Sequence, residues 1–433
     1  MLKDDRNPRA LAALPDDALI EAVQRQTFRY FWDGADAASG LALDRRTLVG
    51  PTREDKADDK VAIGGTGFGI MALIVAVERG WVARDEALAR LGRMRDALLR
   101  ATRYHGAFPH FLDGASGATI PMSPKDDAAD LVETAYLIMG LLCARQYFSE
   151  VTPEARRLRG DIDTLWHEVE WDWFTQGGRD VLYWHWSPNH GWAMNHEVRG
   201  WNECLITYIL AAAAPCHAVD PRVYHRGFAA GPDFANGRSY HGIELPLGPP
   251  FGGPLFFAHY TFCGLDPHGL KDRYADYWDL NCRHVQINRA HCIANPQGHP
   301  GYGESCWGLT ASDDPDGYLA HAPDIDNGTI SPTAALASLP YAPAEVMRVA
   351  RHFLAAHGTR VWRDYGFVDA FCERRDWFAE TFLAIDQGPI VVMMENHRTG
   401  LLWKLFMSVP EVQAGLRRLD FSSPHLAPST HDL

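Results

Sequence analysis

Apolar residues in this chain gather into six helical segments that are hydrophobic on every face but begin with polar or carboxylate residues. The six starts lie near Thr66, Asp130, Glu203, Ala258, Ser331 and Asp386. A helix that is apolar all round belongs in the interior of a protein. Its polar start indicates that one end faces a pocket. We therefore predict six inner helices whose N-terminal ends surround one opening.

Segments with one charged and one apolar face lie between these runs, at 85–102, 153–170, 271–289 and 343–357. This pattern is typical of helices on the outside of a protein. The alternation predicts an all-α fold, an (α/α)6 barrel of six helical hairpins that forms a single domain over residues 1–433. Residues 227–254 are rich in Gly and Pro, so we expect a loop or short β-hairpin insertion there, near the mouth.

The charge balance excludes one class of partner. The 433 residues include 41 basic and 55 acidic side chains, for a net charge of −14, and no run of Lys or Arg occurs. Nucleic-acid binding requires a basic surface, so we expect no nucleic-acid partner. The sequence contains no apolar stretch of about 18 residues, so we expect no membrane association. It does not indicate an oligomeric state.

The cysteines and the N-terminal segment indicate the cellular compartment of the protein. Eight cysteines are scattered without a Cys-x-x-Cys pair, which is typical of thiols in a reducing compartment. Residues 1–15 lack the apolar core of a signal peptide. We therefore expect a cytoplasmic protein, or a periplasmic one if a leader has been removed.

Three carboxylates open the second of the inner segments. Asp126, Asp130 and Glu133 are spaced i, i+4, i+7 and would share one helix face. An acidic first turn in solvent, favoured by the helix dipole, is the simpler interpretation. However, Leu137 and Leu141 continue the same stripe as apolar residues. This continuation favours carboxylates that point into a cavity.

Glu203 and Asp386 also begin buried segments. Either could act only as a helix cap, but burial raises the pKa of a carboxyl group toward that of a working general acid. Glycoside hydrolysis needs one carboxylic acid to protonate the leaving oxygen and one carboxylate to activate water or attack the sugar carbon. Carboxylates on different inner helices meet this need. The distance between them, which separates inverting from retaining enzymes, cannot be derived from the sequence.

Aromatic residues are concentrated in two loop-like segments, 183–192 and 302–308. Aromatic faces bind the apolar side of sugar rings, although packing on the surface is the alternative. His110 and Arg398 are further candidate donors to hydroxyl groups. The predicted substrate contacts, besides the three carboxylates above, are Trp184, Trp186, Trp192, Arg199, Tyr302, Glu304, Trp307 and Glu395.

Two motifs suggest metal chemistry. Residues 126–130 spell DDxxD, the magnesium motif of the all-helical terpene synthases. The second motif of those enzymes and a basic cluster for diphosphate are missing from the sequence. His196-Glu197 and His167-Glu168 begin like a zinc HExxH motif but lack its second histidine. We predict no metal and no cofactor.

Nine segments in order carry a family resemblance, among them AADLVETAYLIMGLL, LYWHWSPNHGW, WNECLITYILA, NGTISPTAALASLPY and LAIDQGPIVVMMENHRTGLLW. From about residue 25 to residue 410, the chain resembles the glycoamylase-like family. It is similar to the β-1,2-glucanases of glycoside hydrolase family 144 and to the cyclase domain of cyclic β-1,2-glucan synthases.

The resemblance implies an (α/α)6 barrel that acts on β-1,2-glucan or sophoro-oligosaccharides without a metal. Glu203 matches the general acid of the family, which in relatives acts through a substrate hydroxyl. Asp386, in IDQGP, matches the base side. Asp126, Asp130 and Glu133 match the acidic helix that lines the substrate subsites.

Other functions stay open on the sequence alone. One alternative is a transglycosylase or a hydrolase of another glucan linkage, and a second is a noncatalytic sugar-binding protein. If the insertion at 227–254 closes one end of the substrate site, it favours exo action.

Overall fold

Buried and amphipathic helices alternate along the chain in the computed structural model, which describes residues 7–47 and 59–426. Residues 1–6 of the segment considered for a signal peptide lie outside the described residues. The helices are α1 (Pro8–Ala12), α2 (Asp16–Trp32), α3 (Ile63–Glu78), α4 (Arg84–Arg100), α5 (Leu131–Tyr147), α6 (Pro153–His167), α7 (Leu205–Ala213), α8 (Tyr277–Ala294), α9 (Pro332–Leu336), α10 (Pro343–Ala356), α11 (Ala384–Thr399), α12 (Leu401–Met407) and α13 (Pro410–Arg418).

The predicted helices occur at the expected places. The inner helices α3, α5, α7 and α11 are buried over most or all of their length. The amphipathic helices α4, α6, α8 and α10 correspond to the four segments predicted for the outside. The fourth inner segment differs, because it forms short 3-10 turns at Leu255–Ala258 and Thr261–Cys263. Pro254 and Gly264 bound this run and leave little room for an α-helix to propagate.

Close packing of the inner helices depends on glycine. The helix α3 packs against both α5 and α11, and α5 packs against α7. Where α3 crosses α5, a Cβ added to Gly67 would lie 2.2 Å from the Tyr136 carbonyl oxygen, and one added to Gly140 would lie 2.2 Å from the Gly67 carbonyl oxygen. The two backbones therefore touch at a distance that only glycine permits.

The strands are short and mostly paired in twos. They are β1 (Arg45–Thr47), β2 (Lys60–Ala62), β3 (Phe111–Asp113), β4 (Thr119–Ile120), β5 (Ala129–Asp130), β6 (Leu182–Tyr183), β7 (His185–Trp186), β8 (Glu197–Val198), β9 (Ala235–Tyr240), β10 (Ile243–Leu247), β11 (Ala311–Asp314), β12 (Gly317–Ala320), β13 (Trp362–Arg363), β14 (Gly366–Phe367), β15 (Phe371–Cys372), β16 (Trp377–Phe378) and β17 (Thr381–Leu383).

Several strands lie directly before an inner helix. Thus β2 leads into α3, β5 leads into α5 and β17 leads into α11. Strand β1 pairs with β17, which places Arg45 opposite Leu383. The hairpin of β9 and β10 confirms the hairpin interpretation of residues 227–254. These strand pairs fix the loops around the N-terminal ends of the inner helices.

One hydrophobic core runs through the described residues, from Leu11 in α1 to Phe421 after α13. No helix among the described residues has both the length and the apolarity that a bilayer crossing requires.

Candidate active site

Asp130 organises the N-terminal end of α5. It is the N-cap residue, and its Oδ1 accepts hydrogen bonds from the backbone N–H groups of Val132 (3.1 Å) and Glu133 (2.9 Å). The same oxygen accepts from Nε1 of Trp184 at 2.8 Å, and Oδ2 lies 3.0 Å from Nδ1 of His110. Burial alone would raise the pKa of Asp130, but the hydrogen bond and the charge of His110 lower it. Asp130 is therefore a fixed, ionised carboxylate.

His110 carries the balancing positive charge. Burial favours its neutral form, but the carboxylates of Glu133 and Asp130 outweigh burial and raise the pKa of His110 to about 10. Asp126 lies on the same side, with Oδ2 3.4 Å from Nε2 of His185. Burial and the charge of Asp130 raise the pKa of Asp126 to about 6.

The ligand atoms of His110, Asp126 and Asp130 lie within 4.8 Å of one another, a spacing that could hold a metal ion. The hydrogen bonds supply a different explanation of the cluster. A protonated imidazole has no lone pair for a metal, and both oxygens of Asp130 already accept hydrogen bonds. The charge of His110 balances part of the negative charge of these carboxylates.

Glu133 and Glu203 are the two glutamates of this cluster. Oε2 of Glu133 accepts a 2.6 Å hydrogen bond from the backbone N–H of Gly64, at the start of α3. Burial is the main reason that the pKa of Glu133 is raised. Burial also raises the pKa of Glu203 to about 7, and the negative charges of Glu133 and Asp130 add to the effect. Glu203 is thus poised to hold a proton near neutral pH.

The opposite side of the site contains Asp386, in the first turn of α11. Asp386 is 1% exposed, and neither of its carboxyl oxygens meets a donor from another residue in the described part of the chain. Its nearest ionisable neighbour is Asp369, to which a protonated Asp386 can donate a hydrogen bond. Burial raises the pKa of both groups, and the negative charges of Asp369 and Asp313 raise the pKa of Asp386 further. The pair therefore retains one proton over a range where single carboxylates are ionised.

Asp313 anchors this acidic pair. Its backbone N–H donates to Oδ2 of Asp369 at 2.7 Å. Its own Oδ2 accepts from Nη1 of Arg45 at 2.5 Å and from Oγ1 of Thr381 at 2.5 Å. Arg45 and Thr381 lie at the two ends of the β1–β17 pair, so this short pair of strands fixes the base side of the site.

An aromatic floor connects the two sides. Tyr260 packs against Phe68 and Tyr136, with ring centroids 5.4 and 5.8 Å away. Burial raises the pKa of Tyr260, and the charges of Asp386 and Glu203 act on the same hydroxyl. One tyrosine therefore lies within electrostatic range of both carboxylates. Glu203 and Asp386 therefore lie around a common region of the protein.

Asp44, His110 and Glu203 show that this region is open. Each lies deep enough that burial is the largest influence on its pKa. Each also retains intermediate solvent exposure. A side chain that is deep in the protein yet accessible lies on the wall of an internal hollow. We call this hollow the cleft. The carboxylates and the histidine around it are Asp44, His110, Asp130, Glu133, Glu203, Asp369 and Asp386.

The structure brings some predicted residues into the cleft and places others elsewhere. Asp126, Asp130, Glu133, Glu203, Asp386, His110 and Trp184 belong to it or contact it. Trp186 and Trp192 instead pack around Trp173, at centroid distances of 5.8 and 6.3 Å. Both rings are half-buried in this aromatic cluster, and strand β7 pairs Trp186 with Ala129, next to Asp130.

Glu395 does not fit its predicted role as a substrate contact. It is fully buried near the end of α11, where Arg79 donates to both of its oxygens at 2.8 and 2.6 Å. Arg398 pairs with Glu21 at 2.7 Å in the same region. Nine residues of helix separate Glu395 from Asp386, about 14 Å along the axis. Both side chains therefore stabilise helix packing and lie far from the acidic pair.

The segment 302–308 is also placed differently from the prediction. Trp307 is fully buried in the core, and the Tyr302 hydroxyl donates to Asp326 at 2.8 Å. Glu304 is 68% exposed and pairs with Arg348. Arg199 pairs with Glu197 at 2.7 Å, with 37% of its side chain exposed. None of these contacts connects the segment, or Arg199, to the cleft carboxylates.

Sequence reasoning missed Asp44, Arg45, Asp313 and Asp369. They lie in or beside two- to four-residue strands, which carry no helical periodicity. The sequence around Asp369 could have indicated its burial. This carboxylate stands alone between the apolar residues Val368 and Ala370.

Comparison with known proteins identifies relatives over most of the chain. The family model named Glycoamylase, described as a glucoamylase, matches residues 195–410. The structure of an endo-β-1,2-glucanase from Chitinophaga pinensis, in complex with sophorotriose and glucose, is 51% identical, covers 96% of this chain and 100% of its own, and has a TM-score of 0.93. An endo-β-1,2-glucanase from Talaromyces funiculosus is 12% identical with a TM-score of 0.66, which shows a likeness of fold alone.

A curated relative shares most of this chain but is longer. The exo-β-1,2-glucooligosaccharide sophorohydrolase of Parabacteroides distasonis is 43% identical over 427 residues, which is 94% of this chain. This chain spans 58% of the length of that relative.

Proposed function

Since this chain belongs to the glycoamylase-like family, among its β-1,2-glucan hydrolases of glycoside hydrolase family 144, we propose that it hydrolyses β-1,2-glucan or sophoro-oligosaccharides by carboxylate acid–base catalysis. The observation that carries this proposal is that two sets of acidic groups with raised pKa values surround one tyrosine. Glu203 and the Asp369–Asp386 pair all lie within electrostatic range of Tyr260, and burial raises the pKa of each of these carboxyl groups.

Glu203 is the general acid in this proposal. A general acid must hold a proton at the working pH and release it to the departing oxygen. With its pKa raised to about 7 by burial, Glu203 is substantially protonated at neutral pH. The mechanism implied by the family resemblance passes this proton through a substrate hydroxyl.

The Asp369–Asp386 pair is the base in this proposal. Asp386 is almost fully buried, so direct attack on a sugar carbon is sterically disfavoured and activation of a water molecule fits its position. Burial raises the pKa of both carboxyl groups, and the charge of Asp369 raises the pKa of Asp386 further, so one of the two keeps a proton. The other is ionised and can accept a proton from water. This assignment widens the base from Asp386 alone to both carboxyl groups.

The Asp130 side holds the sugar in this proposal. Asp130, His110 and Trp184 are locked together by hydrogen bonds, and the accessible edge of His110 and the carboxyl group of Asp126 provide donors and acceptors for hydroxyl groups. Fixed polar groups of this kind orient a neutral ligand.

We also propose that the helices form an (α/α)6 barrel with the cleft at one end. The alternation of buried and amphipathic helices and the packing of α3 on α5 and α11 support this arrangement.

Product analysis on linear glucans tests the proposal. Purified protein is incubated with β-1,2-, β-1,3- and β-1,4-glucans of matched length, and new reducing ends are counted while the products are identified by mass spectrometry. We expect new reducing ends from the β-1,2-glucan alone, with the Glu203→Gln variant as the inactive control. Longer or cyclic products without new reducing ends would show transfer instead of hydrolysis. No change in the β-1,2-glucan would contradict the proposal.

A further inference from the structure

Tyr318 is an exposed aromatic residue on strand β12, opposite the carboxylate of Asp313. It is 53% exposed, one of six exposed large hydrophobic side chains in the described residues. Even so, enough protein surrounds Tyr318 that burial is the largest influence on the pKa of its hydroxyl. Tyr318 is thus more accessible than Asp44 and Glu203, although protein surrounds its hydroxyl group.

The β11–β12 hairpin fixes the direction of this ring. Tyr318 lies directly opposite Asp313 in the antiparallel register. Side chains directly opposite in such a pair lie on the same face of the hairpin, about 5 Å apart. Asp313 uses this face to bind Arg45 and Thr381. Tyr318 therefore stands beside the groups that anchor the base side.

The surroundings of Tyr318 are acidic. Its hydroxyl lies within electrostatic range of Asp386, Asp369, Asp44 and Asp313, and burial together with these charges raises the pKa of Tyr318 well above its usual value. The phenol stays neutral and keeps its proton as a hydrogen-bond donor. The negative charges nearby would repel an anionic ligand, whereas a neutral polyhydroxy ring suits them.

Tyr318 also lacks the packing that a structural aromatic residue has. Aromatic rings in this protein pack extensively, including those of Tyr136 and Tyr260 in the floor of the cleft. By contrast, no ring pair, cation–π contact or side-chain hydrogen bond of Tyr318 occurs among residues 7–47 and 59–426. An aromatic face that is left uncovered inside a cleft is available to a ligand.

We propose that Tyr318 is the aromatic platform for a glucosyl ring on the Asp386 side of the cleft. This inference rests on the proposed function. The uncovered face of Tyr318 would stack on the apolar face of a glucosyl residue, while its hydroxyl donates to a sugar oxygen. Binding there places the sugar next to the Asp369–Asp386 pair. Tyr318 thus determines how tightly the subsite on the base side binds a glucosyl residue.

Two substitutions of Tyr318 distinguish the contribution of its ring from that of its hydroxyl group. Tyr318→Ala removes both, and we expect kcat/KM on β-1,2-gluco-oligosaccharides to fall about 10- to 100-fold, the equivalent of burying one aromatic ring. Tyr318→Phe keeps the ring and loses one hydrogen bond, so we expect a smaller loss of roughly 2- to 10-fold. Val151→Ala removes a 71% exposed side chain before α6 and serves as the control with unchanged activity.

A binding measurement gives a readout that is independent of turnover. The dissociation constant for a three-residue β-1,2-gluco-oligosaccharide is measured by calorimetry in the Glu203→Gln background, with and without Tyr318→Ala. We expect weaker binding when the ring is removed, and unchanged melting temperatures will show that the fold is intact. If the wild type cleaves β-1,2-glucan and Tyr318→Ala matches it in kcat/KM and in binding, the platform is overturned but the proposed function stands. A wild type without activity or binding would overturn both.

Discussion

Glu203 and Asp130 carry the same functional group, but their surroundings favour opposite protonation states. Asp130 accepts hydrogen bonds from two backbone N–H groups and from Trp184, and it faces a positively charged His110. Those partners stabilise the ionised form and lower its pKa. In residues 7–47 and 59–426 no cationic group offsets the burial of Glu203, so its pKa is raised to about 7. The division between a binding carboxylate and a proton-donating one is therefore set by a few neighbouring atoms.

The pH dependence of activity follows from this difference. We expect kcat/KM to decrease as the pH rises through about 7, because Glu203 then loses the proton that it must donate. A pH–rate profile with a β-1,2-gluco-oligosaccharide measures this alkaline limb. A profile that is flat between pH 6 and about 9 would contradict the assignment.

Stability should change with pH at the same residue. The pKa of Glu203 is raised in the folded protein, from a usual value of 4.5 to about 7. The favourable contribution of a group with a raised pKa is complete below its unfolded pKa and is lost as the pH rises through its folded pKa. We therefore expect the melting temperature of Glu203→Gln, relative to the wild type, to increase between pH 5 and about 8. If the difference in melting temperature between the variant and the wild type is the same at both pH values, folding does not raise the pKa of Glu203.

At the level of elements, the N-terminal ends of the inner helices assemble the site. The first turn of α3 offers the Gly64 N–H to Glu133, and α5 offers two N–H groups to Asp130. Free N–H groups at a helix start attract carboxylates. An all-helical fold can therefore concentrate acidic side chains at one end of its inner helices. The short strands then add the residues that helices do not supply.

Gly64 tests this dependence on the helix start. A Cβ added to Gly64 would lie 2.6 Å from Oε2 of Glu133, so Gly64→Ala must displace that carboxylate. We expect kcat/KM to fall about 10-fold or more, since a displaced polar group in an active site costs at least one hydrogen bond to a charged group. Gly92→Ala is the matched control on the outer helix α4, where an added Cβ meets nothing within 4 Å. It should keep full activity and gain about 0.5–1 kcal/mol in the free energy of unfolding.

Equal activity of Gly64→Ala and Gly92→Ala would show that the contact between Glu133 and α3 does not matter for catalysis. Melting temperatures of both variants distinguish a local displacement from a general loss of packing.

The sequence predicted helices better than it predicted the site between them. All-round apolar runs identified α3, α5, α7 and α11, and with them Asp130, Glu133, Glu203 and Asp386. Asp313 and Asp369 could not be found in this way, because their proximity depends on strand pairs that join distant parts of the chain. Glu395 was misplaced for the opposite reason. It shares a helix and a sequence motif with Asp386, but the length of that helix separates the two.

At the scale of the whole molecule, the base side is held together by the pairing of a strand early in the chain with a strand late in the chain. Strand β1, at residues 45–47, pairs with β17, at residues 381–383, and Ala384 at the start of α11 donates its N–H to the Asp44 carbonyl at 2.9 Å. Arg45, in β1, then binds Asp313 on the base side at 2.5 Å. The base side thus depends on residues from the first and last thirds of the chain. A net charge of −14 and a cleft lined by carboxylates suit a neutral glucan.

The turnover of Glu203→Gln on linear β-1,2-glucan, measured beside its affinity for the same glucan, tests the central claim most directly. Glutamine keeps the shape of the side chain but has no proton to give at neutral pH. The acid assignment predicts a loss in kcat on the order of 10²- to 10⁴-fold with the dissociation constant nearly unchanged. Turnover within a few-fold of the wild type would contradict the assignment of Glu203, and with it the acid–base mechanism built on this cleft.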